Sequence, residues 1–152
     1  MTVVGIDLAT KTGLARLNGG KLVGTGKVTI GKTDPDLDVG TIAAFCAGAD
    51  LVVIESVFCG VNVKTAIDLA VLRGRLVQEL DRARVKWVLC APSTWRKTSI
   101  KPAPKLKRKE LKRLATAFVA TTFGVDVSED EADAVCLALW GETQSSLSTC
   151  SI

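Results

Sequence analysis

The stretch Leu51-Val52-Val53-Ile54 is apolar at every position and closes on a carboxylate, Glu55. A strand with one wet face alternates apolar and polar side chains, so an unbroken run marks a buried strand, which needs helices packed against its sheet. The surrounding sequence supplies them. Thr2 to Leu8 is a β-branched apolar run with Asp7 near its end, and Gly13 to Leu17 and Lys21 to Ile30 flank Asn18-Gly19-Gly20, which has hairpin-turn composition. A polar stretch from Gly31 to Asp38 precedes a short helix expected over Val39 to Ala47. After the Asp50 to Glu55 strand comes a long helix, Val63 to Arg84, with Ala66, Leu69, Ala70, Leu76, Val77 and Leu80 on one stripe, then a fifth strand at Val85 to Cys90. Pro92, Pro102 and Pro104 punctuate a basic loop leading into a helix near Lys105 to Phe123. Ser128 is placed to cap a last helix from about Glu129 into residues 140 to 145, with residues 144–152 expected as a frayed tail. The order predicts an α/β domain with a five-stranded mixed sheet, three antiparallel strands followed by parallel ones, flanked by helices.

At 152 residues, 47% of them hydrophobic, the chain suits one domain with one sizeable core and has no room for a second lobe. Its apolar runs fall far short of the roughly 20 residues that cross a membrane, and the start lacks a basic signal-peptide opening, so a soluble, cytoplasmic protein is expected. Five cysteines, an odd number and widely spaced, argue against both a disulfide framework and a Cys-x-x-Cys zinc site. Histidine is absent. That removes Ser-His and Cys-His pairs and imidazole acid/base chemistry together, leaving carboxylates, lysines or oxygen-held metals to do any catalysis.

The net charge of +4 is unevenly spread. Arg96 to Arg113 holds nine basic residues and one acid, a local +8, while the remainder carries −4. A basic segment on an acidic body points to a polyanion-binding edge.

The acids fall in a pattern. Asp7 and Glu55 each end a predicted strand, and Asp130 and Asp133 stand three apart at the start of the last helix, on one face of it. Neighbouring strand ends bring Asp7 and Glu55 to one rim, so four carboxylates can converge. Oxygen-only ligands suit Mg²⁺ or Mn²⁺, and two such ions about 4 Å apart activate water and stabilise the leaving oxygen in phosphodiester hydrolysis. Asp7 also suits a turn, and Asp130, Glu131 and Asp133 also suit a helix N-terminus. Glu55 has less of an ordinary explanation, because a carboxylate closing a buried strand costs free energy without a partner or a metal.

Gly5-Ile6-Asp7, then Thr10 and Thr12-Gly13, then Val53-Ile54-Glu55-Ser56-Val57-Phe58, then Asp130-Glu131-Ala132-Asp133-Ala134 resemble the RuvC-type Holliday-junction resolvases, from Val3 to about Trp140. Asn62, Ala66, Leu69 and Arg73-Gly74 resemble that family's long helix. The resemblance implies an RNase H-like nuclease domain over residues 1–143 and a homodimer that makes paired, Mg²⁺-dependent cuts in a four-way DNA junction. It implies Asp7, Glu55, Asp130 and Asp133 as catalytic metal ligands, two Mg²⁺ ions replaceable by Mn²⁺, Phe58 as an aromatic that meets bases, and Arg96, Lys97, Lys105, Lys107, Arg108 and Lys109 as phosphate contacts. No nucleotide cofactor is implied, and a bacterial cell or phage-infected host is the expected setting. Leu8-Ala9 replaces the family's usual small pair after the first aspartate, and Glu131 competes with Asp130 as the ligand.

Three other readings share parts of this pattern. YqgF-type nucleases acting on structured RNA share the first acidic motif. Actin-like ATPases and sugar kinases share Gly-Ile-Asp-x-x-Thr but enclose ATP between two lobes. A nuclease-dead junction-binding module would keep the basic segment. The long helix stripe serves either the protomer's own core or a two-fold partner, with Gly74 inviting close approach.

Overall fold

The computed structural model describes residues 1–31, 34–56, 62–100 and 105–148. Strand β1 (Thr2–Asp7) pairs antiparallel with β2 (Lys11–Asn18), which pairs antiparallel with β3 (Lys21–Thr29). Gly19 and Gly20, at φ 55° and 76°, make the β2–β3 turn, where both central positions need positive φ. Helix α1 (Pro35–Phe45) leads to β4 (Leu51–Glu55), parallel to β1, and α2 (Val63–Arg82) leads to β5 (Trp87–Cys90), parallel to β4. Then follow α3 (Pro92–Ser99), α4 (Arg108–Phe123) and α5 (Glu129–Ser148). The sheet order is β3-β2-β1-β4-β5, the five-stranded mixed sheet expected from the sequence.

Alternate residues of the central strands feed two cores. Val4, Ile6, Val52 and Ile54 pack with Ile42 of α1 and Leu72, Leu76 and Leu80 of α2. Val3 and Val53 pack on the opposite face with Trp95, Ala115, Val119 and the buried run Ala132 to Ala138 of α5. The chain is therefore helix, sheet, helix in three layers, with β1 and β4 covered on both sides.

Helix α5 lies unusually close to the sheet. A Cβ on Gly5 would meet the Ala134 carbonyl oxygen at 2.0 Å, and one on Gly13 would meet that of Asp130 at 2.0 Å. Glycine on the sheet and alanine on the helix permit this approach, which lowers the acidic end of α5 onto the end of β1.

Several boundaries differ from the sequence reading. Asp34 caps α1, accepting a 3.0 Å bond from the Leu37 amide, and Pro35 follows at its first position, so the helix starts four residues before Val39. Helix α3 replaces the expected basic loop at Pro92: that proline opens a helix, and Arg96 and Lys97 ride on it. Lys107 is the residue before α4, with Lys105 further upstream, while Arg108 and Lys109 begin the helix. Strand β5 starts at Trp87, and α5 continues through Ser148, across the start of the expected tail. On α2 the inward stripe includes Leu72, and Ala70 faces outward.

Candidate metal centre

Asp7 ends β1 and Glu55 ends β4, one position beyond the parallel pair Ile6 and Ile54. Both carboxylates thus leave the sheet at the same rim, and the Asp7 side chain hydrogen-bonds that of Glu55. Asp133 reaches the rim from the second turn of α5 and is 5% exposed, while Asp7 is 7% exposed. Burial, followed by the charges of Glu55 and Asp133, pushes the Asp7 carboxyl up to about 8. Burial also raises Asp133 to about 6, with Glu55 adding to the rise while Lys112 and Arg96 oppose it. Two buried acids raised in this way mark a place where negative charge is crowded and a cation is favoured.

Asp130 sits one helical turn before Asp133 and meets Lys112 of α4, whose Nζ is 3.2 Å from its Oδ1. The two acids that competed by sequence are separated by their partners. Glu131 Oε2 accepts from the Ser128 amide at 2.9 Å and the Ser128 hydroxyl at 2.7 Å, a capping box that holds the helix start and draws Glu131 away from the rim. Its carboxyl lies below the usual range: burial works against this, but the Ser128 bonds prevail.

The donor set fits a hard divalent cation: four carboxylates, no sulfur and no imidazole. Among the described residues no three acidic or cysteine side chains already stand close enough to coordinate one ion. Lys112 occupies the cationic position beside Asp130. Burial works against its charge, yet the bond to Asp130 and the charges of Asp133, Asp130 and Asp7 raise its pKa overall.

Besides Lys112, one basic side chain of the segment, Arg96, meets this rim. Arg96 stacks on Trp95, 5.1 Å from guanidinium carbon to ring centroid, and its charge reaches Asp133. Lys97, Lys105, Lys107, Arg108 and Lys109 are exposed along α3 and the approach to α4. Phe58 lies outside the described residues. Two residues that sequence reasoning did not single out belong here. Lys112 was visible only as one charge in a basic run, and Trp95, whose indole donates to Glu55 Oε1 at 2.8 Å, only as an aromatic in a loop.

Away from the rim, Cys46, Cys90 and Cys136 are free and buried, and burial pushes their thiols up to about 12, 11 and 12 respectively, as expected of structural cysteines. No helix among the described residues is long and apolar enough to cross a membrane.

A mixed sheet ordered 3-2-1-4-5, with an acidic rim at the ends of its first and fourth strands and on the last helix, defines the RNase H-like class of fold. Within that class the chain has the fold of the RuvC-type Holliday junction resolvases. It superimposes on Thermus thermophilus RuvC in complex with a Holliday junction substrate with a TM-score of 0.76 at 19% identity, covering 98% of this chain and 97% of that one. The fowlpox virus Holliday junction resolvase follows at 0.64 and 13% identity, covering 97% and 99%. The yeast mitochondrial Holliday junction resolvase Ydc2 is similar at 0.56 and 13%, covering 97% of this chain and 80% of its own. No family model and no curated protein sequence matches the chain.

Proposed function

We propose that this protein is a structure-selective DNA endonuclease that resolves four-way or branched junctions by metal-dependent phosphodiester hydrolysis. The observation that carries the reading is the convergence of Asp7, Glu55 and Asp133 at one buried rim of a histidine-free chain, with Asp130 one turn away, on a fold whose solved neighbours are junction resolvases.

In this reading Asp7, Glu55, Asp130 and Asp133 hold Mg²⁺, two ions in number, with Mn²⁺ as a substitute. Bound there, the ions supply an activated water and a counter-charge for the leaving oxygen. The chain's own part is positional. Strands β1 and β4 fix two carboxylates side by side, α5 lowers Asp133 onto them, and Lys112 holds Asp130 beside them, where it would give way to a bound cation. Arg96, Lys97, Lys105, Lys107, Arg108 and Lys109 receive the phosphate backbone beside the rim, and Phe58 stacks on a base at the junction. The products are 5′-phosphate and 3′-hydroxyl ends.

Paired cuts need two sites. The outward face of α2 supports a homodimer: Val63, Ile67 and Val71 are 69%, 58% and 54% exposed, Ala70 is exposed beside them, and a Cβ on Gly74 would meet nothing within 4 Å. An apolar stripe of this kind, with room for close approach, suits a two-fold helix pair. Residues 1–143 would form the nuclease domain of each protomer, acting in the cytoplasm of a bacterial cell or phage-infected host.

The test is nicking of a four-way DNA junction with Mg²⁺, beside a structured RNA, by wild type, Asp7→Asn and Glu55→Gln. Both variants are expected to bind the junction and neither to cut it. Cutting by Glu55→Gln at the wild-type rate would overturn the metal-site assignment, and preferential cleavage of the RNA would overturn the substrate.

A further inference from the structure

Trp95 is wholly buried in the core beneath α5, yet its indole Nε1 donates a 2.8 Å hydrogen bond to Glu55 Oε1. The local chain explains how it reaches there. Cys90 at the end of β5 pairs with Glu55 in the parallel ladder, and α3 begins two residues later at Pro92. The first turn of α3, closed by the Trp95 amide on the Ala91 carbonyl, folds Trp95 back beside the end of β4. A core position of this kind needs only bulk, which Phe or Leu would provide; an indole there must also find a partner for its N–H. The partner is one of the rim carboxylates.

The consequence concerns orientation. A glutamate at a strand end has three side-chain torsions with which to swing. A charge-assisted bond to one oxygen, from a donor locked by packing, restricts that swing and leaves the second oxygen for another partner. Arg96, the next residue, stacks over the Trp95 ring and adds its charge near Asp133, so α3 acts on two of the four acids through consecutive side chains. We propose that Trp95 is a positioning residue, whose indole N–H holds the Glu55 carboxylate in the orientation that receives the divalent cation. This rests on the metal-site reading above.

A matched control exists within the same chain. Trp87 makes the same chemical bond, Nε1 to Asp81 Oδ1 at 2.8 Å, at the opposite end of β5 from the rim. Mn²⁺ binding to the metal-free protein, counted from the free-ion paramagnetic resonance signal, is compared for wild type, Trp95→Phe and Trp87→Phe, together with metal-free junction binding. Trp95→Phe is expected to weaken Mn²⁺ binding about 10- to 100-fold while junction affinity stays within about twofold; Trp87→Phe leaves both unchanged. A purely structural role for Trp95 would instead lower both together, and that result overturns the proposal. Mn²⁺ binding by Trp95→Phe equal to wild type also overturns it and leaves the metal site standing. Wild type and Trp87→Phe that both fail to bind Mn²⁺ overturn the metal site and the proposal with it.

Should Trp95→Phe not fold, the wild-type protein still decides. Its three tryptophans give three indole N–H resonances, assigned with Trp87→Phe and Trp140→Phe. Saturating Mg²⁺ is expected to move the Trp95 resonance and leave that of Trp87 in place; a Trp95 resonance that does not move refutes the positioning role.

Discussion

Lys112 Nζ stands 3.2 Å from Asp130 Oδ1, inside a rim otherwise built of acids. The basic helix α4 thus lends the acidic helix α5 an internal counter-ion, and the two raised acids behind it, Asp7 at about 8 and Asp133 at about 6, owe their shifts first to burial and next to the charge of Glu55.

These two raised carboxyls set a pH dependence. Both acids hold their protons more tightly in the folded state than the ordinary value of 3.8 would allow. Between about pH 4 and pH 8 the folded chain therefore binds more protons than the unfolded one, and stability falls as pH rises through that window. Metal-free protein is expected to melt at least about 5 °C lower at pH 8 than at pH 5. Asp7→Asn should flatten the slope by removing the larger contribution, whereas Lys112→Met should steepen it. Thermal melts in chelator across this range check the sign, and an unchanged slope in Asp7→Asn would refute the assignment.

Gly13 gives a steric prediction. A Cβ there would lie 2.0 Å from the Asp130 carbonyl oxygen, 2.3 Å from its carbonyl carbon and 2.9 Å from the Glu131 amide nitrogen, all backbone atoms that cannot rotate aside. Gly13→Ala must push the start of α5 off the sheet. Overpacking of this kind costs about 1 to 3 kcal/mol or more, and the displaced end carries Asp130 and Asp133. The variant should melt lower and lose junction cleavage while keeping the basic face that binds DNA. Gly24→Ala, with nothing within 4 Å of the added Cβ, serves as the control and should leave both properties unchanged.

How much of this was legible beforehand follows from which interactions are local. The Leu51–Glu55 strand was readable because a buried strand writes its burial into every position, and the Asp130/Asp133 face because helical periodicity is a local rule. Pro92 was read as part of a loop, but proline also suits the first turn of a helix, and there it opens α3, whose Trp95 packs into the α5 layer. What sets Glu131 apart from Asp130 is Ser128, which was read as a cap without the reciprocal bond from Glu131. Lys112 and Trp95 meet their carboxylate partners across 18 and 40 residues of chain. No periodicity encodes such meetings.

The basic segment predicts a salt dependence. Lys105, Lys107, Arg108 and Lys109 are exposed, with their charges free to meet phosphate, so junction binding should weaken steeply as salt rises. Replacing Lys107 and Lys109 together by Gln should reduce the log-log salt slope by about two if each meets one phosphate. The loss should be similar on four-way junctions and on duplex, because phosphate contacts carry no sequence information. Binding isotherms at several salt concentrations test this, and an unchanged slope would move the phosphate track elsewhere.

The outward stripe of α2 yields the last prediction. Leu72, Leu76 and Leu80 turn into the protomer's own core, so they cannot also serve a partner, whereas Ile67 and Val71 have no such duty. Charge placed on the outer face should therefore spare the protomer fold and disrupt only association. Ile67→Glu/Val71→Glu is expected to sediment at the 16.1 kDa of one chain, with wild type at twice that mass, and to melt within about 2 °C of the wild-type chain measured as monomer. On a four-way junction the variant should leave single, uncoordinated nicks, since each protomer retains its own acids but loses its symmetric neighbour. Paired cutting by a demonstrably monomeric variant would separate resolution from dimerisation; a wild type that sediments as a single chain at micromolar concentration would remove the α2 interface altogether.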